Sequence, residues 1–222
     1  EAEENWLKAR RAILRSPLDR IGYGGYLKLA SEWDGFIDTI QHVVGEFRQI
    51  HENMQGSSAY MASFKVAVLN CWGNLRRWMA NQVHHAIWHR EIYSYVGVLE
   101  CLSGMPIDVE FITFEDIKNG ILDNGEIKVI INSGDAGTAF SGDKNWIDEK
   151  VVTTIRRFVD NGGGFIGVGE PSAYQFEGRY FQLSDVLGVD REMNFSLSTD
   201  KYNEMDSEHF ILEDIDGAVD FG

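Results

Sequence analysis

The chain has 222 residues, a length for one large domain or one domain with an appendage. Hydrophobic residues make up 44%, charged residues 25% and aromatic residues 12%, with 3 prolines, which excludes disordered, collagen-like and disulfide-scaffold classes. A net charge of -15 repels phosphates at long range and argues against a general nucleic-acid or anionic-membrane binder. Two cysteines, Cys71 and Cys101, are too few for a disulfide framework and fit a reducing compartment. With no apolar run of membrane-spanning length and no recognisable signal or transit segment, the expected location is the cytoplasm. The first residue is Glu1 rather than Met, and the chain is expected to be a piece of a longer protein.

Trp6, Ala9, Ile13 and Leu14 form an apolar stripe in a charged segment, predicting a helix that Ser16-Pro17 ends, because the residue before proline resists the helical region. Ile21 to Tyr26 is glycine-rich and aromatic, a loop by composition. Phe36, Ile40, Val43, Phe47 and Ile50 recur at helical spacing, so a second helix with one buried face is expected. Asn53 to Ser63 is polar, with Gly-Ser-Ser at 56–58, and is the best linker candidate.

From Phe64 the pattern changes. Phe64 to Asn70 is a nearly continuous apolar run, the mark of a parallel strand covered on both faces. A helix-rich stretch from Leu75 to Ser103 follows, then a second strand at Ile107 to Ile112 and a short helix within Glu115 to Leu122. Ile127 to Asn132 is a third strand, and Ile147, Val151, Ile155 and Phe158 stripe another helix. Gly162-Gly163-Gly164 stops that helix before a fourth strand, Phe165 to Gly169. Strands alternating with helices predict βαβ units and an α/β fold with a doubly wound, mostly parallel sheet. The tail from Asp200 to Gly222 holds eight acids against Lys201, which reads as a solvated surface or fraying end; calcium binding is the alternative, but the calcium-loop spacing is absent.

Such a sheet carries its functional loops at the carboxyl ends of its strands. The first loop carries Asn70, Cys71, Trp72 and Gly73, the second Thr113 and Glu115, the third Ser133 to Gly142, and the fourth Glu170 to Gln175. Asp135 and Glu170 stand at the third and fourth tips, where a carboxylate can accept paired hydroxyls and Trp72 can serve as an apolar platform. The competing reading is that both acids cap turns. Arg76 and Arg77 lie just beyond the first strand and suit either an anion or a surface salt bridge. Cys71 follows a strand, with His84 and His85 on the next helical segment, but the strained nucleophile-elbow pattern is absent; a buried structural thiol is the plainer reading. His85 and His89 are four apart without the Glu of a zinc helix, and two ligands do not make a metal site.

Six stretches then resemble one family in order: Arg20 to Leu27, Val66 to Gly73, Val83 to Ala86, Tyr93 to Tyr95, Gly163 to Pro171, and Asp200 to Tyr202. The chain is similar to the lacto-N-biose phosphorylases, also called 1,3-β-galactosyl-N-acetylhexosamine phosphorylases. The resemblance implies phosphorolysis of a β-galactosyl bond to N-acetylhexosamine, or in some members to rhamnose, giving α-galactose 1-phosphate with inversion. It implies an N-terminal barrel, a central amidotransferase-like (flavodoxin-like) domain, and no cofactor beyond inorganic phosphate as co-substrate. Residues 1–60 would be a helical segment from the end of the barrel, and residues 61–222 the central domain. No position here matches the family's general acid, so no catalytic residue is assigned. The expected substrate-binding residues are Asp135, Glu170, Trp72 and Arg76, with a galactosyl disaccharide, the missing barrel and a second copy of the chain as partners, and neither nucleic acid nor membrane. A purely structural or dimerisation domain is the alternative, and an amidotransferase-like hydrolase using Cys71 a further one.

Overall fold

In the computed structural model, which describes residues 2–15, 18–22, 24, 26–58, 60–71, 93–191 and 209–213, the chain divides into two units, Glu1–Arg191 and Glu192–Gly222. The first unit opens with helices α1 (Ala2–Arg15), α2 (Leu27–Ala30) and α3 (Phe36–Met54). Of the predicted α1 stripe only Trp6 and Ile13 are buried, whereas Ala9 and Leu14 are exposed. Residues seven apart lie two turns apart on one line, so α1 packs through a single narrow seam. The Trp6 indole N–H donates to one Glu46 carboxylate oxygen at 2.6 Å and Arg10 donates to the other at 2.5 Å, fastening α1 to α3. The expected α3 face is in place, but Phe36, Ile40, Val43, Phe47 and Ile50 are each half-buried and none is buried outright. α1 covers only part of that face, and Ile37 on α3 is exposed, as are Tyr26, Leu29 and Trp33 before it. α3 continues to Met54, so the connection to the sheet is shorter than the polar composition predicts, and the Ala62 N–H is already tied to the Pro106 carbonyl at 2.8 Å.

The four predicted strands all form: β1 (Lys65–Asn70), β2 (Asp108–Thr113), β3 (Ile127–Gly134) and β4 (Gly164–Gly169). They make one parallel sheet in the order β2-β1-β3-β4. The chain leaves β1 toward one side and resumes on its other side, so β1 and β3 flank a topological switch point. Alternation along β1 divides the core. Ala67 and Leu69 face a cluster with Ile112, Ile117, Ile130, Trp146 and Ile155, under α5 (Phe114–Lys118) and α6 (Glu149–Asp160). Val66 and Val68 face the opposite cluster with Val98, Leu102, Ile131 and Tyr95, under α4 (Tyr93–Ser103). The central strands β1 and β3 are therefore covered on both faces, as their continuous apolar runs require, whereas Phe111 of β2 and Ile166 of β4 are exposed.

α5 opens on a capping box in which the Asp116 N–H donates to Thr113 Oγ1 at 3.2 Å and the Thr113 N–H donates back to the Asp116 carboxylate at 2.8 Å. α6 is capped by Asp148 and ends at Gly162 and Gly163, whose N–H groups donate to the Val159 and Phe158 carbonyls, a Schellman stop; Gly164 already belongs to β4. Beyond β4 comes a feature the sequence reading lacks, a hairpin of β5 (Ala173–Phe176) and β6 (Arg179–Phe181). Its two turn residues, Glu177 and Gly178, have φ of 49° and 79°, the paired positive values of a type I′ turn. Helix α7 (Ser184–Leu187) follows, and Arg156 of α6 reaches Asp185 through Nε (2.7 Å) and Nη2 (2.9 Å). In the second unit the described residues form one short 3-10 turn, Phe210–Leu212. Among the described residues no helix is long and apolar enough to cross a membrane.

Candidate functional site at the carboxyl ends of the strands

The tips of β3 and β4 meet at a pair of glycines. Gly134 and Gly169 are register partners with φ of 108° and 80°, a region that side chains rarely occupy. A Cβ on Gly134 would lie 2.6 Å from Phe140 Cβ, and one on Gly169 would lie 2.9 Å from Ser94 Oγ and 3.1 Å from the Gly134 carbonyl oxygen. This close approach turns both tips into loops and brings Asp135 and Glu170 onto neighbouring segments.

The half-buried Glu170 is a structural hub. Its N–H donates to the Gly134 carbonyl at 2.9 Å, and its Oε2 accepts the Ala136 N–H at 2.9 Å. Its Oε1 accepts the Tyr180 hydroxyl at 2.9 Å and also receives the Arg191 guanidinium. Arg191 in turn donates to the Tyr180 oxygen at 2.9 Å and lies 4.8 Å from the centre of its ring. Burial, and then the neighbouring Glu170 carboxylate, hold the Tyr180 hydroxyl above its ordinary pKa, so it stays a donor. Neither Tyr180 nor Arg191 carries a sequence motif; only the fold of the β5–β6 hairpin brings them to Glu170.

Asp135 is half-buried and opens the β3 loop. Its backbone carbonyl accepts from Thr138 Oγ1 at 2.6 Å and Ser141 Oγ at 2.7 Å, which closes the small-residue loop over the sheet. Below it, the fully buried Asn132 staples that loop to β4's exit. Its amide donates to the Ser141 carbonyl at 3.0 Å, and its carbonyl accepts the Ser172 N–H at 2.9 Å. A polar residue ending an apolar strand run was the available signal for this role. At the β2 tip, Thr113 is taken up by its capping box and Glu115 by Lys118 at 2.7 Å.

Cys71 begins the β1 loop, where its N–H donates to the Ala139 carbonyl at 2.9 Å and its sulfur receives the Asn145 amide at 2.8 Å. Burial, reinforced by the Asp143 carboxylate, pushes its thiol up to about 11. The thiol is protonated at neutral pH and is a poor nucleophile. Trp72, Arg76, Arg77, His84, His85 and His89 lie outside the described residues, as does nearly all of the acidic tail. Among the described residues no group of three or more metal-ligating side chains converges.

The fold and these tips define a parallel α/β domain whose polar groups gather at one end of the sheet. The chain belongs to the lacto-N-biose phosphorylase family: the model of that family's central domain matches residues 65–222, and the model of its N-terminal TIM barrel domain matches residues 1–62. It is 57% identical over 223 residues, across all of its length, to a 1,3-beta-galactosyl-N-acetylhexosamine phosphorylase of Lachnoclostridium phytofermentans. It is 50% identical over 218 residues to the enzyme of that name from Bifidobacterium longum subsp. longum, covering 97% of this chain and 29% of that protein. To the D-galactosyl-beta-1->4-L-rhamnose phosphorylase of L. phytofermentans it is 39% identical over 203 residues, covering 91% of this chain and 27% of that protein. The chain thus spans about 30% of the length of the curated relatives it matches.

Proposed function

We propose that this chain is the central part of a phosphorylase that splits β-galactosyl-N-acetylhexosamine disaccharides with inorganic phosphate. The observation that carries the reading is 57% identity along the whole chain to a phosphorylase of that name, with the family's barrel and central-domain models matching consecutive segments. Residues 1–60 are then the end of the barrel. The half-covered α3 face and the exposed Tyr26, Leu29, Trp33 and Ile37 support this, since a barrel helix buries that face against neighbours supplied by the rest of the barrel. Residues 61–222 are the amidotransferase-like domain, and the strand order 2-1-3-4 supports a flavodoxin-like classification. Two free cysteines support a cytoplasmic location, and the assembly is a homodimer.

In the reaction, a phosphate oxygen attacks the anomeric carbon of galactose from the face opposite the leaving sugar. The glycosidic C–O bond breaks, an acid protonates the departing oxygen, and α-galactose 1-phosphate forms with inversion. One carboxylic acid suffices, because phosphate replaces the activated water of an inverting hydrolase. That acid belongs to the barrel. The described part of this chain contributes Asp135 toward sugar hydroxyls, and Glu170 holds the Asp135 loop while keeping lone pairs for a hydroxyl of its own. Trp72 and Arg76, outside the described residues, are proposed as further substrate-binding residues on their sequence position alone. In the barrel-bearing enzyme, Asp135→Asn is expected to raise KM for the disaccharide or lower kcat about tenfold, the scale of one lost hydrogen bond to a charged group. Wild-type constants in that variant remove Asp135 from the site.

A second reading, a domain that only buttresses the barrel and pairs with a second copy, is favoured by the saturation of the strand tips with internal bonds at Thr113, Asn132 and Glu170. The two readings separate in one experiment. Asp135→Asn alters kinetic constants with an unchanged oligomeric state under the first and leaves both untouched under the second.

A further inference from the structure

Two buried asparagines lie near the carboxyl ends of neighbouring strands, and they are treated oppositely. Asn132 on β3 is satisfied at both ends of its amide. Asn70 on β1 is equally inaccessible to solvent, yet among the described residues neither its amide nitrogen nor its carbonyl oxygen has a partner in good hydrogen-bond geometry. The Tyr95 hydroxyl and Ser133 Oγ are also buried without a partner. Buried polar groups left unpaired are rare in folded proteins, and each calls for an explanation.

The orphans are not scattered. Leu69 pairs with Asn132 in the β1–β3 register, so Asn70 and Ser133 stand side by side one residue further on. By strand alternation both point to the α4 face, with Val66, Val68 and Ile131. Tyr95 enters that face from the first described turn of α4, its ring 4.7 Å from the Phe140 ring. Among the described residues the buried side chains without a partner thus converge at the switch point between β1 and β3, the place where open α/β sheets take ligands. They offer one amide donor, one amide acceptor and two hydroxyls, and no charge. That uncharged set matches a group that both donates and accepts.

We propose that Asn70, Ser133 and Tyr95 form a binding site for a neutral hydroxyl group at the β1/β3 switch point. Ordered water and a sugar hydroxyl share this chemistry. Burial raises the Tyr95 pKa, and a weak approach of the Asn70 side chain, outside good hydrogen-bond geometry, opposes the shift without cancelling it, so the phenol remains a neutral donor. The site does not depend on Asp135 or Glu170, whose role is read from kinetic constants.

The test uses the barrel-bearing enzyme, crystallised with and without galactose. An oxygen within about 3.2 Å of at least two of the three side chains is expected. A site that is dry, or filled by a side chain of residues 72–92, overturns the proposal. Tyr95→Phe keeps the ring against Phe140 and removes only the hydroxyl. With a bound partner it lowers the apparent Tm by about 2 °C or more, whereas relief of a dry orphan raises it, and a rise overturns the proposal. Ser133→Ala separates the sources. If galactose raises the wild-type Tm and the rise is lost in Ser133→Ala, the hydroxyl is a sugar's; if the site oxygen appears without galactose and the variant's galactose response is unchanged, it is water's.

Discussion

Gly134 and Gly169 decide where the site loops leave the sheet. Both are in the positive-φ region, and a methyl on Gly169 meets Ser94 Oγ and the Gly134 carbonyl at about contact-violating range. Gly169→Ala is therefore expected to destabilise the fold by about 2 kcal/mol or more, from left-handed strain and overpacking together, read as a lower urea midpoint at unchanged m-value. Cys71 makes a chemical prediction. Its folded pKa, about 11, lies above its ordinary 9.0, so its contribution to stability is whole below about pH 9 and is lost as pH rises toward 11. At pH 8 the exposed Cys101 is expected to be alkylated by iodoacetamide while Cys71 is spared, as peptide mapping would reveal. Fast modification of Cys71 with loss of an activity would revive the hydrolase alternative.

The helices and strands of the sheet were legible because each is written in a local period: continuous apolar runs for β1 and β3, a 3.6-residue stripe for α6. The β5–β6 hairpin was not. Its strands are 4 and 3 residues long, and its Glu177-Gly178 turn lacks the asparagine or aspartate that announces a type I′ turn. The hairpin instead depends on Gln182, whose amide donates to the Tyr174 carbonyl at 2.7 Å, and on Asp190, whose carboxylate accepts the Phe181 N–H at 2.9 Å. Arg156 then joins α6 to α7. Its guanidinium is the main cause holding the Asp185 carboxyl below its ordinary 3.8. A depressed carboxyl stabilises above its unfolded pKa, so this contribution is present above about pH 4 and lost as pH falls through the folded value. The side chains are 30% and 50% exposed, so solvent screening limits the pair. Asp185→Asn is expected to lower stability by less than about 1 kcal/mol at pH 7 and to have no effect at pH 2, measured by chemical denaturation at both.

In the molecule as a whole, the N-terminal helices and the sheet domain differ in how completely they bury themselves. The central strands β1 and β3 are covered on both faces, whereas α3 keeps its apolar face half-open. If the barrel closes over that face, Ile37→Ser costs about 1–2 kcal/mol in the barrel-bearing protein and less than about 0.5 kcal/mol in this chain alone. Equal costs in the two contexts, from denaturant titrations side by side, count against residues 1–60 belonging to a barrel. The amino-acid order by itself determined the parallel α/β class, the helix stops and the strand ends where the polar groups gather, because periodicity, proline and glycine act within a few residues. Tertiary structure alone decided that Glu170 is held by Tyr180 and Arg191, that Asn132 is satisfied, and that Asn70, Ser133 and Tyr95 converge at the β1/β3 switch point. Those outcomes depend on which strands become neighbours and in what register, and long-range pairing leaves no mark in any short stretch of chain.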